Sequence, residues 1–372
     1  MRFEFGKNWD RFVEKSLSEE KVAQSVSQLK AFLRIDSLRG KTFLDIGSGS
    51  GMHSLAALRL GADRIFSFDY DQNSVMTTKK LREYAGLPVN WTVEQGSVLD
   101  ESFMQTLDKF DIVYSWGVLH HTGDMWPAIR NASIPLGPGG AFYIALYSPE
   151  IYIVPPSHHW LDVKQKYNVA SNLGKKEMEL KYAWRSVVRP ALQSGRNPLS
   201  IIRQYGGDRG MSFWTDVRDW LGGYPMDFAG FRDTYFFCER NLNLQLVNCK
   251  TGEGNTEYLF TRISENEQWR EIQDKRQYSP ISGPYASAGR YLYVADLALL
   301  KDIADTDSFP RRSRFMLYED DIPLGLAHSP HEDIRTYGLG RFSHFDERLY
   351  FSATDCTNPN FNGHRYSYVA EY

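Results

Sequence analysis

Residues 42–51 read TFLDIGSGSG, and this stretch decides the fold of the chain. Its apolar start predicts a buried strand that ends near Asp45. Glycines then occupy every second position from Gly47 to Gly51, and the helix-forming run HSLAAL follows at 53–58. Strand, glycine loop and helix form the first βα turn of an open α/β sheet. Ligands bind at the carboxyl ends of the strands in such sheets.

The spacing of the glycines does not suit a dinucleotide. A G-x-G-x-x-G/A fingerprint needs glycine or alanine at position 52 or 54, where the chain has Met52 and Ser54. The observed pattern is D-x-G-x-G-x-G, in which the glycines allow close approach of a ligand to the backbone. Asp45 attracts a cation and would repel a pyrophosphate. The loop therefore favours a ligand with an amino-acid end and a sulfonium, and the alternative is a tight turn without a ligand.

A second informative stretch, residues 110–121, reads FDIVYSWGVLHH. Together, the two stretches resemble the class I S-adenosylmethionine (SAM)-dependent methyltransferases, whose motif I is the glycine loop. The second stretch is similar to small-molecule O-methyltransferases of the ubiquinone-biosynthesis type. The resemblance covers roughly residues 1–262 and implies SAM as the cofactor. It also implies a doubly wound, Rossmann-like α/β sheet, which the alternation of predicted strands and helices independently favours.

The predicted cofactor site follows the strand ends. A second strand, 64–69, ends at Asp69, whose carboxylate can accept both ribose hydroxyl protons. The family pattern usually carries an acid that reads the adenine amino group, and this chain has Ser97 there. Asp71 and Asp100 are predicted helix caps. The predicted cofactor-binding residues are Asp45, Gly47, Ser48, Gly49, Gly51, Asp69, Tyr70, Ser97, Val98, Ser115 and Trp116.

His120 and His121 are the predicted catalytic residues. They follow a strand next to the first one, so a general base here would lie beside the reactive methyl group. If the segment is extended, successive side chains point to opposite sides and only one histidine faces the substrate. The alternative is that both rings pack structurally. Asp124 is predicted to cap the helix that follows.

The pattern changes after residue 150. We predict a methyltransferase domain from 1–150 and 226–263, with a helical lid at 151–225 that contacts the substrate. The candidate substrate residues are Trp9, Arg209, Trp214 and Tyr224, with Asp216 and Asp219 nearby. For each lid residue, packing within a tryptophan-rich helical cap is the alternative. For Trp9, it is packing against the sheet.

Residues 264–372 form a separate predicted module of short strands, a β-sandwich or jelly roll. An oligomer could form through this module. Asp355, Asn358, Asn360 and Asn362 alternate closely enough to suggest calcium, but they lack the closing glutamate of an EF-hand. Turns are the favoured interpretation, and no metal site is predicted.

Composition narrows the function. The net charge of −3 gives no global attraction for nucleic acid, although basic residues cluster between Lys164 and Arg203. Three cysteines without metal spacing and the lack of an apolar segment predict a cytoplasmic protein that does not bind membranes. We predict O-methylation of a small or medium hydroxyl acceptor, such as a sugar, a quinone-like ring or a secondary metabolite. The alternatives are methylation of tRNA or protein with the β module as docking surface, and a non-catalytic SAM-binding scaffold.

Overall fold

Strand β1 (Thr42–Ile46) is buried along most of its length and lies inside a parallel sheet. It pairs with β2 (Arg64–Asp69) on one side and with β4 (Phe110–Trp116) on the other. Strands β3 (Trp91–Gln95) and β5 (Leu136–Leu146) continue the sheet outward. The order β3-β2-β1-β4-β5 brings the loops after β1 and β4 together at one edge. The predicted doubly wound sheet is confirmed.

The structure is a computed structural model that describes residues 6, 17–209, 213–251, 254–262, 278–309 and 312–370. Side chains at 206–209 are not described. The chain divides into two compact units, residues 1–229 and 230–372. The predicted assignment of 226–263 to the methyltransferase domain stays a prediction.

The helices beside the sheet begin where short polar residues can cap them. Asp71 and Asp100 each accept a backbone N–H of the helix that follows, which confirms both predicted caps, and Ser18 does the same for its helix. Asp124 occupies the cap position of its helix but makes no capping bond with its side chain. The helices are α1 (Glu19–Leu33), α2 (Met52–Arg59), α3 (Gln72–Tyr84), α4 (Glu101–Thr106) and α5 (Met125–Ala132).

The segment predicted as a lid is helical. It contains α6 (Ser157–Val169), α7 (Asn172–Ala183), a π-helical turn (Trp184–Val188), α8 (Arg189–Gln193), α9 (Pro198–Arg209) and α10 (Phe213–Gly222). A small apolar core joins these helices and consists of Tyr167, Ala183, Phe213, Val217 and Leu221. The helical character predicted for this region is therefore correct.

The second unit begins with α11 (Phe231–Leu242) and the antiparallel pair β6 (Leu244–Thr251) and β7 (Thr256–Arg262). Eight short strands then follow within the described residues: β8 (Ser279–Pro280), β9 (Ala286–Ser287), β10 (Tyr293–Asp296), β11 (Met316–Glu319), β12 (Ile322–Pro323), β13 (Phe342–Phe345), β14 (Arg348–Phe351) and β15 (Tyr366–Val369). They form two four-stranded antiparallel sheets, ordered β13-β14-β10-β9 and β12-β11-β15-β8.

Residues from both of these sheets share one apolar core, which includes Leu317 from one sheet and Leu349 and Phe351 from the other. This is the predicted β-rich module. The sequence interpretation missed a 3-10 segment (Ala298–Ile303) and helix α12 (His331–Tyr337). The asparagine-rich segment makes local turn contacts, because Asn358 Oδ1 accepts the N–H of Asn360 and Asn362 Oδ1 accepts the N–H of His364.

Candidate functional site

The glycine loop adopts backbone conformations that favour glycine. Gly47, Gly49 and Gly51 have φ of 73°, 55° and 79°. A Cβ built on Gly47 would lie 2.5 Å from both methyl carbons of Val118. The loop after β1 therefore packs directly against the segment that carries the histidine pair. Ser48 Oγ lies 2.9 Å from Thr78 Oγ1, which ties the loop to α3.

Asp69 lies at the end of β2 and contacts the glycine loop. Its Oδ2 accepts the backbone N–H of Gly49 at 3.0 Å, and its Oδ1 accepts the N–H of Asp71 at 2.9 Å. Each carboxylate oxygen can accept more than one hydrogen bond. The two backbone bonds therefore hold the carboxylate in a fixed orientation beside the glycine loop.

Asp45 is buried beneath the loop and ends a chain of hydrogen bonds that sequence reasoning missed. Trp91 Nε1 donates to Ser67 Oγ at 2.8 Å, Ser67 and Ser54 are 2.7 Å apart, and Ser54 Oγ donates to Asp45 Oδ2 at 2.5 Å. Because Trp91 only donates, the consistent direction runs through Ser67 and Ser54 to Asp45. Burial raises the pKa of Asp45 to about 7, against the lowering effect of Ser54, and Asp69 raises it further. A serine inside the apolar strand 64–69 was the available sequence signal.

The remaining predicted cofactor residues surround the same edge of the sheet. Tyr70 and Trp116 are large aromatic side chains that stay exposed at the ends of β2 and β4. Val98 is buried, and its carbonyl accepts Asn131 Nδ2 at 3.0 Å. Ser97 Oγ accepts the N–H of Leu99, and Ser115 Oγ donates to the carbonyl of Ile46. Ser115 therefore holds β4 against β1.

The histidine pair is not extended, so the predicted alternation of side chains is wrong. Residues 119–121 form a 3-10 turn that follows Gly117, whose φ is 74°. The rings of His120 and His121 lie 4.4 Å apart and both are buried. The turn brings both histidines to one place, where the extended segment would have separated them.

The two histidines differ in their partners. His121 Nδ1 lies 2.8 Å from the carbonyl oxygen of Pro225, which can only accept, so Nδ1 carries the proton. In the neutral ring, the lone pair is then on Nε2. In the described residues, neither ring nitrogen of His120 makes a hydrogen bond of standard geometry, although the backbone of Ala145 lies close enough to raise the pKa of the ring. Burial lowers the pKa of His120 well below its usual value, and nearby His121 and Lys164 lower it further.

Aromatic side chains and one lysine adjoin this pair. Tyr147 lies 4.2 Å from His120 and 5.8 Å from Trp220, measured between ring centroids. Lys164 Nζ lies 4.2 Å from the centroid of the Trp220 ring and donates to the carbonyl of Trp220. Lys164 is the first residue of the basic cluster noted in the sequence between Lys164 and Arg203, and its side chain is buried. No spacing in the sequence brings Lys164 and His120 together.

The predicted substrate residues have separate outcomes. Trp9 lies outside the described residues, and so does the side chain of Arg209. Trp214 packs against the apolar core of the lid, as its structural alternative proposed. Tyr224 Oη accepts Gln165 Nε2 at 3.4 Å and is half-buried.

Two further features bear on the class of site. In the part of the chain that the structure describes, no group of three or more His, Cys, Asp or Glu side chains could hold a metal ion. Among the described helices, none has the length and apolar character needed to cross a bilayer.

Sequence comparison with known proteins finds a match over the region that holds the glycine loop and the histidine pair. A family profile described as a methyltransferase domain matches residues 37–197. This region is a class I SAM-dependent methyltransferase domain. The match contains β1 to β5, the glycine loop and the histidine pair, and it implies SAM as the cofactor.

Individual relatives of the methyltransferase domain differ in their named acceptors. A ubiquinone biosynthesis O-methyltransferase from Methylobacterium sp. is 34% identical over 110 residues, which is 30% of this chain and 42% of that protein. A tRNA U34 carboxymethyltransferase from Idiomarina loihiensis is 24% identical over 37% of this chain and 43% of that protein. The chain thus spans less than half the length of these relatives. An O-methyltransferase family protein from Burkholderia thailandensis has a TM-score of 0.44 at 15% identity, covering 69% of this chain and 60% of that one.

Proposed function

We propose that the protein is a SAM-dependent methyltransferase that methylates a hydroxyl oxygen of a small or medium acceptor. The observation that carries this proposal is the anchored His121. Its Nδ1 proton is held by Pro225, and its segment packs against the glycine loop through Val118. A neutral imidazole with a fixed lone pair is the group that a hydroxyl nucleophile needs for loss of its proton.

The residues present fit the cofactor. Glycines leave room for a ligand at the loop, Asp69 presents an oriented carboxylate for ribose hydroxyls, and Tyr70 and Trp116 offer exposed rings to adenine. When bound, SAM supplies an electrophilic methyl group on a sulfonium, and the S–C bond breaks as the new O–C bond forms. Lid helices would exclude water and align the acceptor with the donor.

His121 Nε2 accepts the hydroxyl proton in this mechanism. His120 suits a supporting role better, because its burial disfavours the protonated form. The Pro225 carbonyl stabilises the imidazolium that forms on His121, since it accepts the Nδ1 proton in both charge states. General-base assistance of this kind contributes about 10²–10⁴-fold to a rate.

His121→Asn tests the assignment. The asparagine amide keeps a donor for Pro225 but has no basic nitrogen, so we expect methylation to fall about 10²–10⁴-fold. Binding of S-adenosylhomocysteine, measured by calorimetry, should stay unchanged. His120→Asn is the matched control, with a smaller loss expected. Full activity of His121→Asn would remove the general-base role, and failure to bind S-adenosylhomocysteine would remove the function.

RNA methylation is a second candidate, favoured by charge on the lid. Residues 180–207 contain no acidic residue, and their basic side chains are exposed at Lys181, Arg185, Arg189, Arg196 and Arg203. A tRNA-modifying relative points the same way. RNA binding that weakens steeply as salt rises, and that is lost in Arg185→Gln/Arg189→Gln, would favour this candidate.

If the protein binds S-adenosylhomocysteine but yields no methylated product with any acceptor class, the scaffold alternative stands.

A further inference from the structure

We propose that the methyl acceptor carries a carboxylate, which Lys164, Trp220 and His120 bind beside the base His121. The inference rests on the proposed function and specifies its substrate class. It begins from a group of buried hydrogen-bond donors that lack acceptors among the described residues.

Lys164 is the most unusual member of this group. Its side chain is 1% exposed, although a lysine is almost never fully buried unless it is paired. Its Nζ donates to the carbonyl of Trp220, whereas an ammonium has three N–H donors. Burial lowers the pKa of Lys164 to about 7, and Asp219 opposes that shift from a greater distance. A buried ammonium that is hydrogen-bonded only in part is costly for folding, and an acceptor bound beside it would reduce that cost.

Trp220 and His120 add donors at the same place. Trp220 Nε1 is buried without a partner in the described residues, and an indole N–H can only donate. Neither ring nitrogen of His120 makes a hydrogen bond of standard geometry with the described residues, although the backbone of Ala145 lies close enough to raise the pKa of the ring. Tyr147 contacts both rings, with centroids 4.2 Å from His120 and 5.8 Å from Trp220. Lys164 is close enough to His120 to lower its pKa.

The missing partner must therefore accept hydrogen bonds and be negatively charged. A carboxylate has two acceptor oxygens and one negative charge, which matches one ammonium and neighbouring neutral donors. The surrounding rings favour a monoanion, because a doubly charged phosphate costs more to remove from water. The base is close to this group of donors, because the ring centroids of His120 and His121 lie 4.4 Å apart.

Paired probes test the inference on the full chain saturated with S-adenosylhomocysteine. The pairs are 4-hydroxybenzoate with 4-hydroxybenzamide, and galacturonate with galactose, with affinities measured by calorimetry. We expect at least one carboxylate to bind roughly ten- to a hundredfold more tightly than its neutral partner, as for a charge-assisted hydrogen bond. Lys164→Met should abolish this preference, whereas Lys166→Met, an exposed lysine on the same helix, should preserve it.

Trp220→Phe is the second variant, because it keeps a ring and removes the indole donor. We expect a loss of severalfold in carboxylate affinity with galactose and 4-hydroxybenzamide unaffected. If no carboxylate is preferred, or if the preference survives in Lys164→Met, the inference is wrong. The proposed function then still stands, provided that S-adenosylhomocysteine binds and His121 supports turnover on a neutral hydroxyl acceptor.

Discussion

Gly47 is under two constraints at the scale of a single residue. Its φ of 73° suits glycine, and a side chain there would meet Val118. Gly40 has almost the same φ, 74°, but a Cβ built on it would meet no atom within 4 Å. We expect Gly47→Ala to lose about 1–3 kcal/mol more stability than Gly40→Ala, in urea unfolding, and to weaken S-adenosylhomocysteine binding. Equal losses of stability in the two variants would mean that Val118 can move aside for the new methyl group without destabilising the fold.

Asp45 predicts a pH dependence of stability. Its pKa is raised in the folded state from 3.8 to about 7, so the folded protein holds a proton that the unfolded chain releases between these values. Stability from this group is full below about pH 4 and falls as pH rises toward 7. Asp45→Asn should flatten this part of the curve and be more stable than the wild type above pH 7, by up to about 4 kcal/mol. Chemical unfolding of the wild type and of Asp45→Asn from pH 4 to 8 measures the two free energies of unfolding. Parallel curves of stability against pH would contradict the raised pKa of Asp45.

The residues around the glycine loop show which parts of the site could be predicted from the sequence. The glycine loop and Asp69 could be predicted because their chemistry depends on local backbone freedom and on the position of a strand end. The chain from Trp91 through Ser67 and Ser54 could not, because its members come from three elements that only the folded sheet brings together. The burial of Lys164 could not be predicted for the same reason, since nothing in a lysine's own sequence neighbourhood distinguishes a buried amine from an exposed one.

At the scale of the element, the 3-10 turn at 119–121 explains the error at the histidine pair. Gly117 ends β4 with a positive φ, so the chain turns where an extended continuation was expected. Strands and helices were predicted well, because apolar periodicity and short polar caps specify them locally. The turn depends on packing of Val118 against Gly47, which lies 71 positions earlier.

The lid helices give the prediction at this scale. Leu221 belongs to the small core that joins α6, α7 and α10, whereas Leu192 on α8 is exposed. We expect Leu221→Ala to cost about 2–5 kcal/mol locally and to raise amide hydrogen exchange across 157–222. Leu192→Ala should leave exchange unchanged. Equal protection in both variants would show that Leu221 does not hold the helices together.

For the whole molecule, the division into residues 1–229 and 230–372 separates the cofactor site from the β-rich core. The predicted cofactor residues lie in the first unit, and the sandwich core lies in the second. Sequence reasoning located the change of composition near residue 264, because strand and turn signals become short and frequent there. It assigned 226–263, which holds α11, β6 and β7, to the methyltransferase domain from a family resemblance, because helix and strand patterns alone do not say which core an element joins.

Phe351 tests whether the two units unfold separately. Its side chain is fully buried in the core shared by the two small sheets, whereas Phe361 is 86% exposed. We expect two transitions in calorimetry of the full chain, of which S-adenosylhomocysteine raises only one. Phe351→Ala should lower the other transition by the equivalent of about 3–5 kcal/mol and leave the ligand-sensitive one in place. Phe361→Ala should change neither. A single transition that both the ligand and Phe351→Ala shift would show that the two cores fold as one cooperative structure, and the β module would then contribute to the stability of the cofactor site.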